Sequence, residues 1–123
     1  MKKIYTIFIV LCLCSCDKFI YYDIAIQNNC NDTIEVVLER TYQNPGFSSF
    51  SISAQSELII AKPHTIFTVN DKSVIIVFIK KLEISKEGTP INLNPLDTSR
   101  WSLEKINKWE YKYLLTLYPE DFE

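Results

Sequence analysis

A single histidine, His64, is all this chain offers to chemistry that relies on imidazole. A zinc site would have to be assembled from Cys30, His64 and carboxylates that stand at no motif spacing. A Ser56–His64–Asp71 triad can be written, but neither a nucleophile elbow nor an oxyanion glycine surrounds Ser56. Glycine is nearly as scarce, with two in 123 residues. Asn29, Asn31 and Asp32 therefore lack the glycine of a calcium loop, as well as its distal glutamate. His64, beside Pro63, reads as a loop residue. Glu35 and Glu39 share one outward strand face, where like charges keep a surface soluble rather than flank a sugar. The expectation is a protein with no catalytic residues, no metal and no cofactor.

Long hydrophobic runs are also missing. The longest, Ile4 to Leu13, would span about 15 Å as a helix, half of the roughly 30 Å of bilayer hydrocarbon. Preceded by Lys2 and Lys3, it reads as a secretion signal rather than a spanning segment. The segment closes on Leu13-Cys14-Ser15-Cys16, which resembles the lipobox of bacterial lipoproteins. That resemblance implies cleavage between Ser15 and Cys16 and acylation of the Cys16 thiol, palmitate included. Two or more acyl chains anchor stably where one binds only marginally.

Removing 15 of 123 residues leaves 108, the size of one domain with one core. The mature balance is 11 basic against 15 acidic residues, a net charge of −4. No basic footprint for nucleic acid exists. Cys12 and Cys14 leave with the signal and Cys16 is acylated, so Cys30 has no disulfide partner and reads as a small turn residue. The division expected is a signal peptide over 1–15, a lipidated cysteine and tether over 16–18, and a domain over 19–123. Two or three extended residues reach only about 10 Å, so the domain is expected close to the membrane.

What is abundant is alternation. Ile20, Tyr22, Ile24 and Ile26 share one strand face, and Asn28 to Asp32 follows as a turn. Ile34, Val36 and Leu38 alternate with Glu35 and Glu39, and Asn44-Pro45-Gly46 is a second turn. Phe50, Ile52 and Ala54 mark a third strand; Leu58–Ala61 and Thr65–Val69 are shorter ones. Val74 to Ile79, apolar on both faces, reads as a central strand, continued or re-paired by Lys80–Lys86. Gly88 to Pro95 reads as loop. Thr98 to Lys108, with Ser102 as a candidate N-cap, is the one helical segment. Trp109, Tyr111, Tyr113, Leu115 and Leu117 form a final strand before Pro119 and an acidic tail. About seven strands at this spacing predict an all-β fold. The form expected is a single antiparallel β-sandwich, Ig-like or transthyretin-like, with one short helix; a partly open barrel is the alternative.

Three segments resemble small lipoproteins of Bacteroides-type bacteria, a group whose resemblance implies a sandwich at the outer membrane and no known activity. They are Ile24-Ala25-Ile26-Gln27-Asn28-Asn29 with Asp32-Thr33-Ile34, then Ala61-Lys62-Pro63-His64-Thr65, and the ending from Trp101 through Trp109–Leu117 to Glu120-Asp121-Phe122. Asp32-Thr33-Ile34 also matches the pattern such bacteria O-glycosylate, making Thr33 a candidate acceptor. A turn aspartate before a strand-starting threonine has the same appearance. Asp17 after Cys16 leaves the periplasmic and cell-surface faces both open.

Aromatic residues supply the binding candidates. Tyr42 and Phe47 bracket the Asn-Pro-Gly turn and Trp101 lies near a loop; exposed rings there stack on sugars or anchor a protein. Trp109 reads as core. Phe19, Tyr21 and Tyr22, so near Cys16, are placed either in the headgroup layer or in first-strand packing. The function expected is a non-catalytic binding or accessory module at the outer membrane. Its partners would be membrane lipid through Cys16 and a protein or glycan. The alternative is a structural envelope-assembly or immunity-like lipoprotein.

Overall fold

Between Ile20 and Ile26 every second side chain is apolar, which lets one face of an extended chain be buried. The computed structural model describes residues 19–41, 45–65 and 72–123, and here that segment is β1 (Ile20–Asn28). The same period builds β2 (Ile34–Arg40), β3 (Gly46–Ile52) and β4 (Ser56–Ala61). A two-residue β5 (His64–Thr65) precedes the helix α1 (Ser73–Phe78). Then follow β6 (Ile79–Lys86), β7 (Thr89–Pro90), β8 (Trp101–Asn107) and β9 (Glu110–Leu117). Single 3₁₀ turns occupy Thr98–Arg100 and Pro119–Phe122.

The strands form an all-β sandwich of two sheets. One is ordered β4-β1-β9-β8, with β5 beside β1; the other is β3-β2-β6-β7. Every pairing is antiparallel except that of β1 with β9, which runs parallel from Tyr21 opposite Glu110 to Asn28 opposite Leu117. β4 and β5 pair with the same side of β1. Pro63 divides them because it has no N–H to give, yet its carbonyl still accepts from Tyr22 N at 2.9 Å. The inward faces meet in one core, where Ile24, Ile26, Tyr113 and Leu115 join Val36, Leu38 and Ile84.

The strand registers define two ends. At one, β1, β3, β6 and β9 begin while β2, β4 and β8 finish; it is called the tether end, after the tether expected over 16–18 ahead of β1. The turn over 29–33 lies at the opposite end.

Two expectations are corrected. Val74–Ile79 is not a central strand: 73–78 is helical, burying Val74 and Ile75 and exposing Ile76 and Val77. That two-in, two-out pattern followed by Phe78 and Ile79 is a helical stripe. Thr98–Lys108 is not a helix: Asp97 caps a single 3₁₀ turn, after which 101–107 pairs with β9 across a Lys108–Trp109 hairpin. The acidic tail turns back on the core, with Asp121 and Phe122 buried. Trp109 is only half-buried, against the edge of the core. The strand expected at Thr65–Val69 lies outside the described residues beyond Thr65, as does part of the turn at residue 44.

The β6–β7 hairpin carries Glu87 at φ 51° and Gly88 at φ 81°. Both central residues of this two-residue loop are left-handed, a geometry that favours Asn-Gly. Glu87→Asn is therefore expected to stabilise by about 0.5 kcal/mol, a rise of roughly 2–4 °C in Tm by thermal unfolding.

Candidate functional site

Outward positions of β3, β2 and β6 lie in register across one sheet face. Phe47, Glu39 and Lys81 form one row; Ser49, Val37 and Glu83 the next; Ser51, Glu35 and Ser85 the third. Ser51 Oγ donates to Glu35 Oε2 at 2.7 Å, and Lys81 lies 2.9 Å from Glu83. The hydrogen bond and charge of Glu83 raise the Lys81 pKa, keeping it an ammonium. A cleft of about 400 Å³ opens beside the upper rows, where Val37, Ile91, Leu93 and Pro95 meet Glu35 and Glu83. An apolar floor ringed by carboxylates suits an aliphatic or aromatic group bearing a cation or hydroxyl donors.

A second cleft, of about 440 Å³, lies at the tether end between Tyr21, Asp23, Lys62 and Glu110. Beside it the His64 ring meets Phe19 edge-on at 5.1 Å and lies 5.8 Å from Tyr21. Tyr22 and Tyr111, buried beneath, stack at 5.7 Å.

Phe47 is 67% exposed, as expected of a contact residue. Trp101 is not: it is 1% exposed, and its Nε1–H donates to Pro95 O at 2.8 Å. As an inward residue of β8 opposite Leu115, it belongs to the core. Thr33 stands exposed just ahead of β2. Ser15, Cys16 and Tyr42 lie outside the described residues.

Ser56 and His64 sit at opposite ends of β1. Ser56 pairs with Asn28 and His64 with Tyr21, about 23 Å apart along the strand, so the triad written above does not assemble. Cys30 is fully buried, and burial pushes its thiol pKa up against the pull of Lys86. Among the described residues no group of three or more His, Cys, Asp or Glu side chains could hold a metal.

Two polar residues that the sequence pattern did not single out dominate the buried hydrogen bonding. Asn28 is fully buried at the end of β1, and nothing in the run Asn28-Asn29-Cys30-Asn31-Asp32 marks it out. Asp121 had a readable signal. It stands three residues after Tyr118 with Pro119 between, and its carboxylate accepts from Tyr118 N at 2.9 Å in a capping box.

Compared with known proteins, the chain matches no family model, no curated protein and no solved structure.

Proposed function

We propose that this protein is a lipid-anchored, non-catalytic binding module at the outer membrane, acylated on Cys16. The outer face of β3-β2-β6 is its contact surface for a protein or glycan. The observation that carries the anchor is the sequence Leu13-Cys14-Ser15-Cys16 after a short apolar run, three residues ahead of a folded domain that starts at Phe19. A hydrophobic run of that length does not span a bilayer, and a thiol at its end is the group that takes a diacylglyceryl thioether. Phe47 and the cleft beside Val37 supply the contact surface: an exposed ring and an apolar floor on a face otherwise of serine and charge. Exposed aromatics of this kind provide large contact area at low conformational cost.

Cells expressing the full chain are labelled with an alkyne analogue of palmitate, then fractionated. Wild type is expected to carry the label in the membrane fraction, and Cys16→Ala to lose both the label and the membrane. Label retained by Cys16→Ala overturns the anchor. Protease shaving of intact cells then assigns the face: digestion before lysis is surface, protection until lysis is periplasm.

A further inference from the structure

The two ends of the sandwich differ in surface chemistry. Eight large apolar side chains are exposed among the described residues, and, Phe47 on the contact face aside, five of them lie at the tether end: Phe19, Tyr21, Ile76, Val77 and Ile106. They come from β1, α1, β8 and the residue just ahead of β1, elements far apart in sequence that the topology gathers at one end. Ile59 and Tyr118 are the other two.

Charge divides in the same way. Among the described residues, Arg40, Lys62, Lys72, Lys80, Lys81, Lys105 and Lys108 lie at the tether end, against Asp23, Glu39, Glu104 and Glu110. Asp23 and Glu39 are engaged by Lys62 at 3.9 Å and Lys80 at 3.6 Å, and those lysines remain largely exposed. The opposite end has Asp32, Glu87, Asp97, Glu120, Asp121 and Glu123, with Lys86 and Arg100. In a mildly acidic chain the described residues thus place an excess of positive charge at one pole.

We propose that the sandwich rests this apolar, basic end on an anionic bilayer surface and presents its acidic end outward. The inference rests on the anchor reading above. From Cys16 to Phe19 the chain reaches at most about 10 Å, which holds the tether end within headgroup distance of an acylated Cys16. An end so held meets lipid continuously, and what it displays suits that contact. Aromatic rings at Phe19 and Tyr21 suit the interface, and lysines near an anionic surface gain about 1 kcal/mol each. Lys108 lies 5.0 Å from the Trp109 ring centroid in the β8–β9 hairpin, so that ring is placed at the same interface.

The two tryptophans form an internal reporter. Trp109 is at the tether end, whereas Trp101 starts β8 at the other end, roughly 20 Å away along the strands. Full chain acylated on Cys16 is reconstituted into phosphatidylcholine–phosphatidylglycerol vesicles with a nitroxide quencher on the headgroups. Wild type is expected to lose emission relative to quencher-free vesicles. Trp109→Phe, in which only the buried Trp101 emits, is expected to show no such loss. Unchanged wild-type emission in a chain that floats with the vesicles overturns the resting face and leaves the anchor standing. Equal loss in Trp109→Phe overturns the orientation. Loss as deep on phosphatidylcholine alone overturns the anionic assignment, and a chain that does not float overturns the anchor and this inference together.

Discussion

Asn28→Asp is expected to destabilise the fold by about 4 kcal/mol at neutral pH, more than Asn28→Ala at about 3 kcal/mol. The amide lies at the end of β1, fully buried. Its Nδ2 donates to Asp32 O at 2.9 Å, Ile52 O at 3.0 Å and Ser53 O at 3.2 Å, while its Oδ1 accepts from Cys30 N at 2.9 Å. One side chain thus satisfies the turn after β1 and ties the first sheet to the end of β3 in the second. Alanine removes both halves of that set and leaves backbone groups unpaired. Ionised aspartate keeps an acceptor for Cys30 but faces three carbonyl oxygens with no proton to offer. Its charged form is disfavoured, so its folded pKa lies above the unfolded value of about 3.9. A raised folded pKa gives stability that is present below the unfolded value and lost as pH rises through the folded one. The deficit relative to wild type should therefore be smaller at pH 4 than at pH 7 in urea unfolding, while that of Asn28→Ala stays flat. Equal pH dependence for the two variants would refute this account of the carbonyl cluster.

The strands were legible where burial is one-sided. Ile20–Ile26, Ile34–Leu38 and Tyr111–Leu117 alternate because one face meets the core, and the structure buries those faces. Legibility fails where a segment satisfies two periods at once. Val74-Ile75-Ile76-Val77-Phe78-Ile79 is apolar throughout and β-branched at every position but Phe78, which by propensity favours a strand. Its position between β5 and β6, joining the two sheets at the tether end, leaves room for a short helix, and the core takes only Val74, Ile75 and Ile79 fully. Trp101-Ser102-Leu103-Glu104-Lys105-Ile106 errs in the opposite direction. Leu103 and Ile106 have helical spacing, but the ladder to β9 outweighs what one or two helical turns would offer.

The candidate site was partly legible for the same reason. Phe47 follows a turn signal in a serine-rich strand, where an apolar ring has no inward neighbour to join, and it is exposed. Trp101 follows an equally polar stretch, but its position in register opposite Leu115 turns it inward, a fact set by pairing across the hairpin rather than by its own neighbours. Beyond Phe19 and Tyr21, marked by their nearness to Cys16, the grouping of apolar side chains at the tether end has no local signature. It arises only when elements far apart in sequence finish at the same pole.

At the opposite pole, acid is expected to loosen the C-terminal turn through Asp121. Arg100 Nη1 and Nη2 donate to its two carboxylate oxygens at 3.2 and 3.0 Å, and Nη2 also reaches Thr116 O at 3.3 Å. Burial alone would raise the Asp121 pKa, but the Arg100 hydrogen bonds, the Tyr118 N–H and the Arg100 charge outweigh it, and the net direction is down. A depressed folded pKa contributes stability that is present above the unfolded value and lost as pH falls through the folded one. Asp121→Asn gives up one acceptor oxygen and turns an NH₂ toward either Arg100 or Tyr118 N, both donors. We expect it to cost about 2 kcal/mol at pH 7, less than a fully buried pair because Arg100 remains partly hydrated. In urea titrations the wild-type and variant curves should begin to converge below about pH 3.9, where the unfolded carboxyl protonates. They should meet only once the pH is under the depressed folded pKa and the native carboxyl is neutral as well. The turn has a second clamp that does not titrate: Asn92 N donates to Asp121 O at 2.8 Å, and Asn92 Nδ2 donates to Glu120 O at 3.2 Å. Acid should therefore weaken the seal that Phe122 makes over the core without releasing the turn. Asn92→Ala combined with low pH should expose Phe122, read as binding of a hydrophobic dye at a pH where neither change alone produces it. A gap between wild type and Asp121→Asn that persists unchanged into acid would show instead that geometry, and not charge, makes this contact.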